Sequence, residues 1–237
     1  MEYEDIYKHL EGKSPDGQDV IGAYAILADH TCNFLCADFD DKSCEHGYHQ
    51  DVLAYVGVCK DWNVPCAIER SRSGNGAHVW IFFEQLLSAS KARRLGNTIL
   101  TEATNRNGRM TFKSYDRFFP NQDKLPEGGF GNLVALPLQG RARKEGNSVF
   151  VDENFMVYKD QWDYLLQMKR LSEAEIDAIL AKHATASELG DLSTTCETRP
   201  WETPTPQKIT RNDFPANLHL VCSNMLYIPL SGLQAKV

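Results

Sequence analysis

No CxxC pair occurs anywhere in the 237 residues, although the chain has seven cysteines. Short-spaced pairs are the usual mark of a structural zinc site, and an even, regular set marks a secreted disulfide framework. An odd count with irregular spacing fits neither, and reduced thiols in a cytoplasm are expected. The zinc candidate that remains is the loose group Cys32, Cys36 and Cys44 with His46 or His49. No apolar run approaches the ~20 residues that span a bilayer. The charged start MEYEDIYKHLEGK has no apolar signal core. A cytoplasmic protein without a membrane partner is therefore expected. Internal repeats are missing, which excludes solenoids and propellers. An excess of positive charge is missing as well: the net charge is −7. That excludes a broad histone-like surface but not a local basic groove, because nearby groups set the field at a site.

What is there reads as one large domain with appendages. Residues 5–12 form a short helix. VIGAYAIL and CNFLCADFD are strand-like runs, and the ADHT between them predicts a hairpin turn. Residues 48–62 carry apolar residues at helical spacing, with Leu53, Val56 and Cys59 on one face and Asp51 near the first turn. PCAIERSRSGNGAHVWIFF reads as strand, glycine turn, strand. SASKARRLGNTILTEATNR reads as a helix capped by Ser88 or Ser90, with a basic exposed face. TFKSYDRFFPNQD has strand character, PEGGFG is a turn, NLVALPLQG is a buried strand, RARKEGN a basic loop, and SVFVDE a strand. KDQWDYLLQMKR and SEAEIDAILAKH are helices, the second with Ser172 and Glu175 as a capping box. These elements make residues 1–183 one core. Residues 184–206, rich in Ser, Thr and Pro, read as a linker. Residues 207–237 are a strand-like tail that either pairs back onto the core or begins a following domain.

Four motifs can carry chemistry. In Asp38-Phe39-Asp40 at the end of an apolar strand, residues i and i+2 share a face. The two carboxylates project together and repel unless a cation lies between them. Mg²⁺ and Mn²⁺ take such oxygens and keep positions open for phosphate. Asp41 points the other way. In SRSGNGAHVWIFF, Gly74 and Gly76 free the backbone for a tight turn and Ser71 and Ser73 offer hydroxyls to phosphate. His78 opens the next strand and can donate to a phosphate. In FKSYDRFFPNQD, Asp116 is a candidate third metal carboxylate and Asp123 its rival. In LPLQGRARKEG, Arg141, Arg143 and Lys144 form the densest basic run, and with Arg70, Arg72, Lys113 and Arg117 they can outline a basic groove. Each motif alone also fits a solvated turn, a glycine hairpin or a charged surface.

The order of the motifs is more informative than any one of them. A strand-borne D-x-D, then S-x-G-x-G-x-H, then an aromatic-Asp resembles the archaeo-eukaryotic primase superfamily. VIGAYAILADHTCNFLCADFDD, SRSGNGAHVWIFF and YDRFFPNQDKLPEGGFGNLVALPLQGRARKEGNSVFVD look like the primase-polymerase domain of TOTE conflict systems, relatives of which lie beside CRISPR loci. The resemblance covers about residues 19–183. It implies an α+β fold: an RRM-like antiparallel sheet packed against a smaller α/β module, with the active site between them. It implies that Asp38, Asp40 and Asp116 hold two divalent ions, Mg²⁺ or Mn²⁺, as the catalytic acids together with His78. Ser73, Asn75, Gly76, His78, Arg72, Arg141, Arg143 and Lys144 would bind the nucleotide or template phosphates.

The implied activity is a DNA primase-polymerase, a nucleotidyltransferase that joins NTPs or dNTPs on a single-stranded DNA template, with or without a primer strand. A helicase region in the same full-length chain is the implied neighbour. Two competing readings come from other classes. One is a degenerate fold that grips nucleotide or single strands, with Phe118, Phe119, Trp80 and Phe130 as stacking platforms. The other is a metal-dependent nuclease using the same acids; it leaves the S-x-G-x-G-x-H motif and the basic run without a role.

Overall fold

Alternation in the middle of the chain builds the main sheet. The computed structural model describes residues 3–14, 19–41, 47–107, 114–125 and 128–184, and the backbone of 219–221 and 225–229. In chain order the elements are α1 (Tyr3–Glu11), β1 (Ile21–Tyr24), β2 (Thr31–Asp40), α2 (Gly47–Asp61), β3 (Ala67–Arg70), β4 (Gly76–Ser88), α3 (Ala89–Asn107) and β5 (Tyr115–Phe119). Then come β6 (Leu133–Ala135), α4 (Gly140–Lys144), β7 (Val149–Val151), α5 (Gln161–Gln167), α6 (Glu173–His183), β8 (His219–Val221) and β9 (Met225–Pro229).

The five-stranded sheet has the order β5-β2-β4-β3-β7, and its pairs are antiparallel. Its first four strands in this order arise from the segment β2-α2-β3-β4-α3-β5, the split β-α-β arrangement of RRM-like domains. The fold is thus α+β, as expected. A second sheet has the order β6-β1-β9-β8.

Period-two burial gives the main sheet two apolar faces. Leu35, Ala37, Phe39, Val79 and Ile81 point to one face and pack on α2, α3 and α6. Phe34, Cys36, Trp80, Phe119 and Phe150 point to the other, where Ala25, Val134 and Leu138 cover them. Each such fully buried large side chain stabilises the fold by about 1.5–3 kcal/mol. On α2 the buried stripe is Tyr48, Asp51, Val52, Tyr55, Val56 and Cys59, at i, i+3, i+4 and i+7 spacing. Asp51 is tolerated in the stripe because the Ser114 hydroxyl donates to it. The Ser88 hydroxyl accepts from the Lys91 amide at the start of α3, and the Ser172–Glu175 capping box opens α6.

A stability prediction follows from α2. Gly57 lies mid-helix, and a Cβ there would meet nothing within 4 Å. Gly57→Ala should therefore raise stability by about 0.5–1 kcal/mol, the intrinsic helix difference, seen as a higher midpoint in urea.

Several expectations are corrected. The turn after Ile26 closes through Leu27 N donating to Thr31 O at 2.8 Å, but β1 and β2 do not form a hairpin. β2 is flanked by β4 and β5, so β1 pairs with β6 and β9 instead. Leu53 is not on the buried face; it is 38% exposed, one position off the stripe. The basic run after Leu138 is not a loop but the short helix α4, because the Gln139 side chain caps it by accepting from Ala142 N. Cys32 and Cys36 cannot share a zinc ion. A register shift between Cys32 and Phe34 sends the two cysteines into different cores. Cys44 and His46 lie outside the described residues, as do the linker at 185–206 and Lys113. Tail strand β9 pairs back onto β1. No described helix is long and apolar enough to cross a membrane.

Candidate active site

Register places one polar row across the second face of the main sheet. Asp38 of β2 lies opposite His78 of β4, and His78 lies opposite Glu69 of β3. On the other side Asp38 lies opposite Arg117 of β5. The neighbouring row, Phe119, Cys36, Trp80 and Ala67, is fully apolar core. The polar row is therefore the first beyond the cover that Ala25, Val134 and Leu138 provide. Phe39, between the acids, is completely buried on the opposite face against Tyr55 and Tyr115. The strand cannot rotate the acids away without exposing that ring.

The third acid arrives through a bulge. Phe39 pairs with Tyr115 and Asp38 with Arg117, so Asp116 is an extra residue in β5. In an unbroken ladder Asp116 would oppose Phe39 and share its core face. The bulge turns it to the acid face. Among the described residues, Asp38, Asp40 and Asp116 bring carboxylate oxygens within 4.8 Å of one another. Asp123, the rival, is paired with Arg93. Asp116 also accepts from Arg117 Nε at 2.6 Å, which raises the Arg117 pKa.

The electrostatics suit a divalent cation. Burial pushes the Asp38 carboxyl up to about 6, with Asp40 and Asp116 adding repulsion and His78 opposing it. For His78, burial disfavours the charged ring, but Glu69, Asp38 and Asp40 outweigh it and raise its pKa. Three convergent hard oxygen donors, mutually repelling, are a set that fits a divalent ion.

This has a pH consequence. A raised carboxyl pKa means the folded protein holds the proton more tightly than the unfolded chain. The stability from Asp38 is full below its unfolded value and is lost as pH rises through about 6. In metal-free protein, Asp38→Asn should gain on wild type by about 1–2 kcal/mol between about pH 5 and 7.5. A melting-temperature gap that does not change with pH would refute this.

A comparison with known families matches the TOTE conflict system archaeo-eukaryotic primase domain over residues 1–179. The chain belongs to that family. Comparison with curated proteins returns no match. The acid triad and His78 of this primase domain stand on the adjacent strands β2 and β4 and on β5.

The remaining predicted residues of the primase domain divide into two groups. The Ser71–Gly76 turn adjoins the acids: Asp41 N donates to Asn75 O at 2.8 Å, and Gly76 lies opposite Asp40. Ser73 organises the turn itself, accepting from Asn75 N at 3.2 Å and lying 3.1 Å from the Ser71 hydroxyl. Gly74 has a φ of +79°, a conformation that favours glycine. Arg72 is exposed on this turn. Arg141 and Arg143 instead donate to the carbonyls of Ser14 and Leu10 beside α1. Lys144 is exposed. The segment after it does reach the turn, where Ser148 N donates to Ser71 O at 3.3 Å. Arg70 is held by the carbonyls of Gly146 and Phe155. Of the suggested stacking aromatics, Trp80, Phe118 and Phe119 are buried core, and Phe130 stacks on Tyr24.

Glu69 was missed. Its place opposite His78 depends on the pairing of Arg70 with Ala77 at the base of the turn, a register that the turn's sequence does not specify.

Proposed function

We propose that this domain is a DNA-templated nucleotidyltransferase that joins nucleoside triphosphates on a single-stranded DNA template by two-metal phosphoryl transfer. The observation that carries the reading is the convergence of Asp38, Asp40 and Asp116 beside His78 and a glycine-bearing turn. Asp38, Asp40 and Asp116 would hold Mg²⁺ or Mn²⁺. Two such ions, when bound, activate a 3′-hydroxyl and neutralise charge on the transferring phosphate.

The chain's own groups do the rest. His78 presents Nε2 on the acid side, 3.5 Å from Asp38 Oδ1, where it can donate to a phosphate oxygen. The amides and hydroxyls of the Ser71–Gly76 turn supply further donors. The guanidinium of Arg117, half exposed and paired with Asp116, offers a positive charge beside the acids for a polyphosphate. Arg72 and Lys144 are candidates for template or nucleotide phosphates, and Arg141 and Arg143 would need to leave their carbonyl partners to join them. The partners of this reading are single-stranded DNA, a primer strand and NTP or dNTP, with a helicase region in a longer chain.

The test is incorporation of labelled nucleotides on single-stranded DNA, with and without a primer, in Mn²⁺ and in Mg²⁺. Acid-dependent product without primer makes the domain a primase; product only with primer makes it a polymerase. Single-strand binding without product in any arm would replace the reading with a binding module. Strand degradation without nucleotides would replace it with a nuclease.

A further inference from the structure

Glu69 is a carboxylate at 1% exposure, yet it lies outside the acid triad. Its Oε2 lies 2.9 Å from His78 Nδ1 and accepts from Trp80 Nε1 at 2.8 Å. A buried charge is costly unless hydrogen-bonded partners compensate it. If satisfying the Trp80 indole were its whole role, a neutral amide would serve at lower cost.

The geometry does more than satisfy Trp80. As the acceptor of the Trp80 hydrogen, Glu69 Oε2 is placed to accept from His78 Nδ1 as well. That fixes which edge of the ring faces inward and leaves Nε2 on the side of Asp38. The carboxylate is itself immobilised. Trp80 is 2% exposed and packs against Phe34, at a ring separation of 5.2 Å, and Phe82, at 6.1 Å. A continuous chain of contacts thus runs from the second apolar core through Trp80, Glu69 and His78 to Asp38.

We propose that Glu69 is a positioning residue: it holds the His78 ring so that Nε2 meets the phosphates of a nucleotide bound over the acid triad. The inference rests on the nucleotidyl-transfer reading above. Outer partners that orient a metal-ligating histidine are typically worth about tenfold to a hundredfold in affinity or activity, and the lower end of that scale is the expectation for a phosphate-binding one.

The test uses the full chain with Glu69→Gln, Glu69→Ala and Ile81→Val. Ile81→Val is a core change on the opposite face that loses a buried methyl and controls for stability. Two readouts are compared: the nitrogen resonances of ¹⁵N-labelled His78 in metal-free protein, and nucleotide KM against kcat on a primed template. Wild type should carry hydrogen on Nδ1. Glu69→Ala should lose that signature and raise nucleotide KM about tenfold. Glu69→Gln, which keeps an acceptor oxygen but no charge, should fall between the two. Ile81→Val should lower the melting temperature without changing KM. Should Glu69→Ala not fold, Glu69→Gln alone decides.

A bare Nδ1 in wild type overturns the proposal, and so do Glu69 variants whose KM moves no more than that of Ile81→Val. A wild type that turns over no nucleotide overturns the function reading instead. The holding of the ring is then decided by the nitrogen resonances alone.

Discussion

Asp38→Ala and Asp40→Ala proteins should each incorporate nucleotide at no more than about a thousandth of the wild-type rate, the scale for losing a preorganised electrostatic group, while still folding cooperatively. The two effects separate because the acids do not hold the fold together. Phe39 and its neighbours Ala37 and Val79 lock β2 from the opposite face, and the ladder to β4 and β5 is backbone. Asp38 is held against its own burial, with a carboxyl raised to about 6, so relief of the burial penalty and of repulsion from Asp40 and Asp116 outweighs the loss of its 3.5 Å contact with His78. For Asp38→Ala the signature is therefore opposite in sign for activity and stability. A second readout is the thermal shift on adding Mn²⁺. A ligand that binds only the folded state stabilises it by about 2.7 kcal/mol at a hundredfold excess over Kd. Wild type should gain several degrees, and either variant much less. A variant that extends a primer at the wild-type rate would show that the triad is not the metal site.

Gly76→Ala should destabilise the protein by about 1–3 kcal/mol, the usual cost of overpacking, and reduce incorporation by up to about a hundredfold, the scale for a misplacement near 1 Å. A Cβ at Gly76 would lie 2.4 Å from the Phe39 carbonyl oxygen and 3.0 Å from Asp40 Oδ1. The first of these is backbone and cannot swing aside, so β4 must draw away from β2 at the register pair Asp40–Gly76. The same shift moves His78, two residues along the strand, away from Asp38. Gly57→Ala, the same chemical change in open helix, is the internal control. Both variants losing stability equally would mean that the close approach at Gly76 is not the cause.

Much of this arrangement is legible before any coordinates, but not all of it. The alternation around Phe39 places Asp38 and Asp40 on one face without further information. The glycine turn between the runs that become β3 and β4 is also plain. What pairing needs, and local pattern lacks, is knowledge of which strand edges are already filled. The turn after Ile26 reverses the chain whether or not β1 and β2 join, and only the claims of β4 and β5 on β2 settle it. The face of α2 was misread because its stripe includes a carboxylate, Asp51, whose acceptance of the Ser114 hydroxyl is a long-range event. The choice between Asp116 and Asp123 depended on a one-residue bulge that propensity does not announce. For Arg141 and Arg143, a basic run advertises charge but not the α1 carbonyls that engage them.

The bulge in β5 also means that two functions read this strand in different frames. For the sheet, Tyr115 and Arg117 are consecutive partners of Phe39 and Asp38, and Asp116 is a residue too many. For the acid cluster, Asp116 is the one residue of β5 that counts. Regularising the strand by deleting that residue would improve the ladder and leave the apolar face intact. The product would be a well-formed domain with two carboxylates in place of the three that converge here. On the proposed reading, foldedness and competence are separately encoded, and a survey of variants by expression or thermal stability alone would score that loss as a gain.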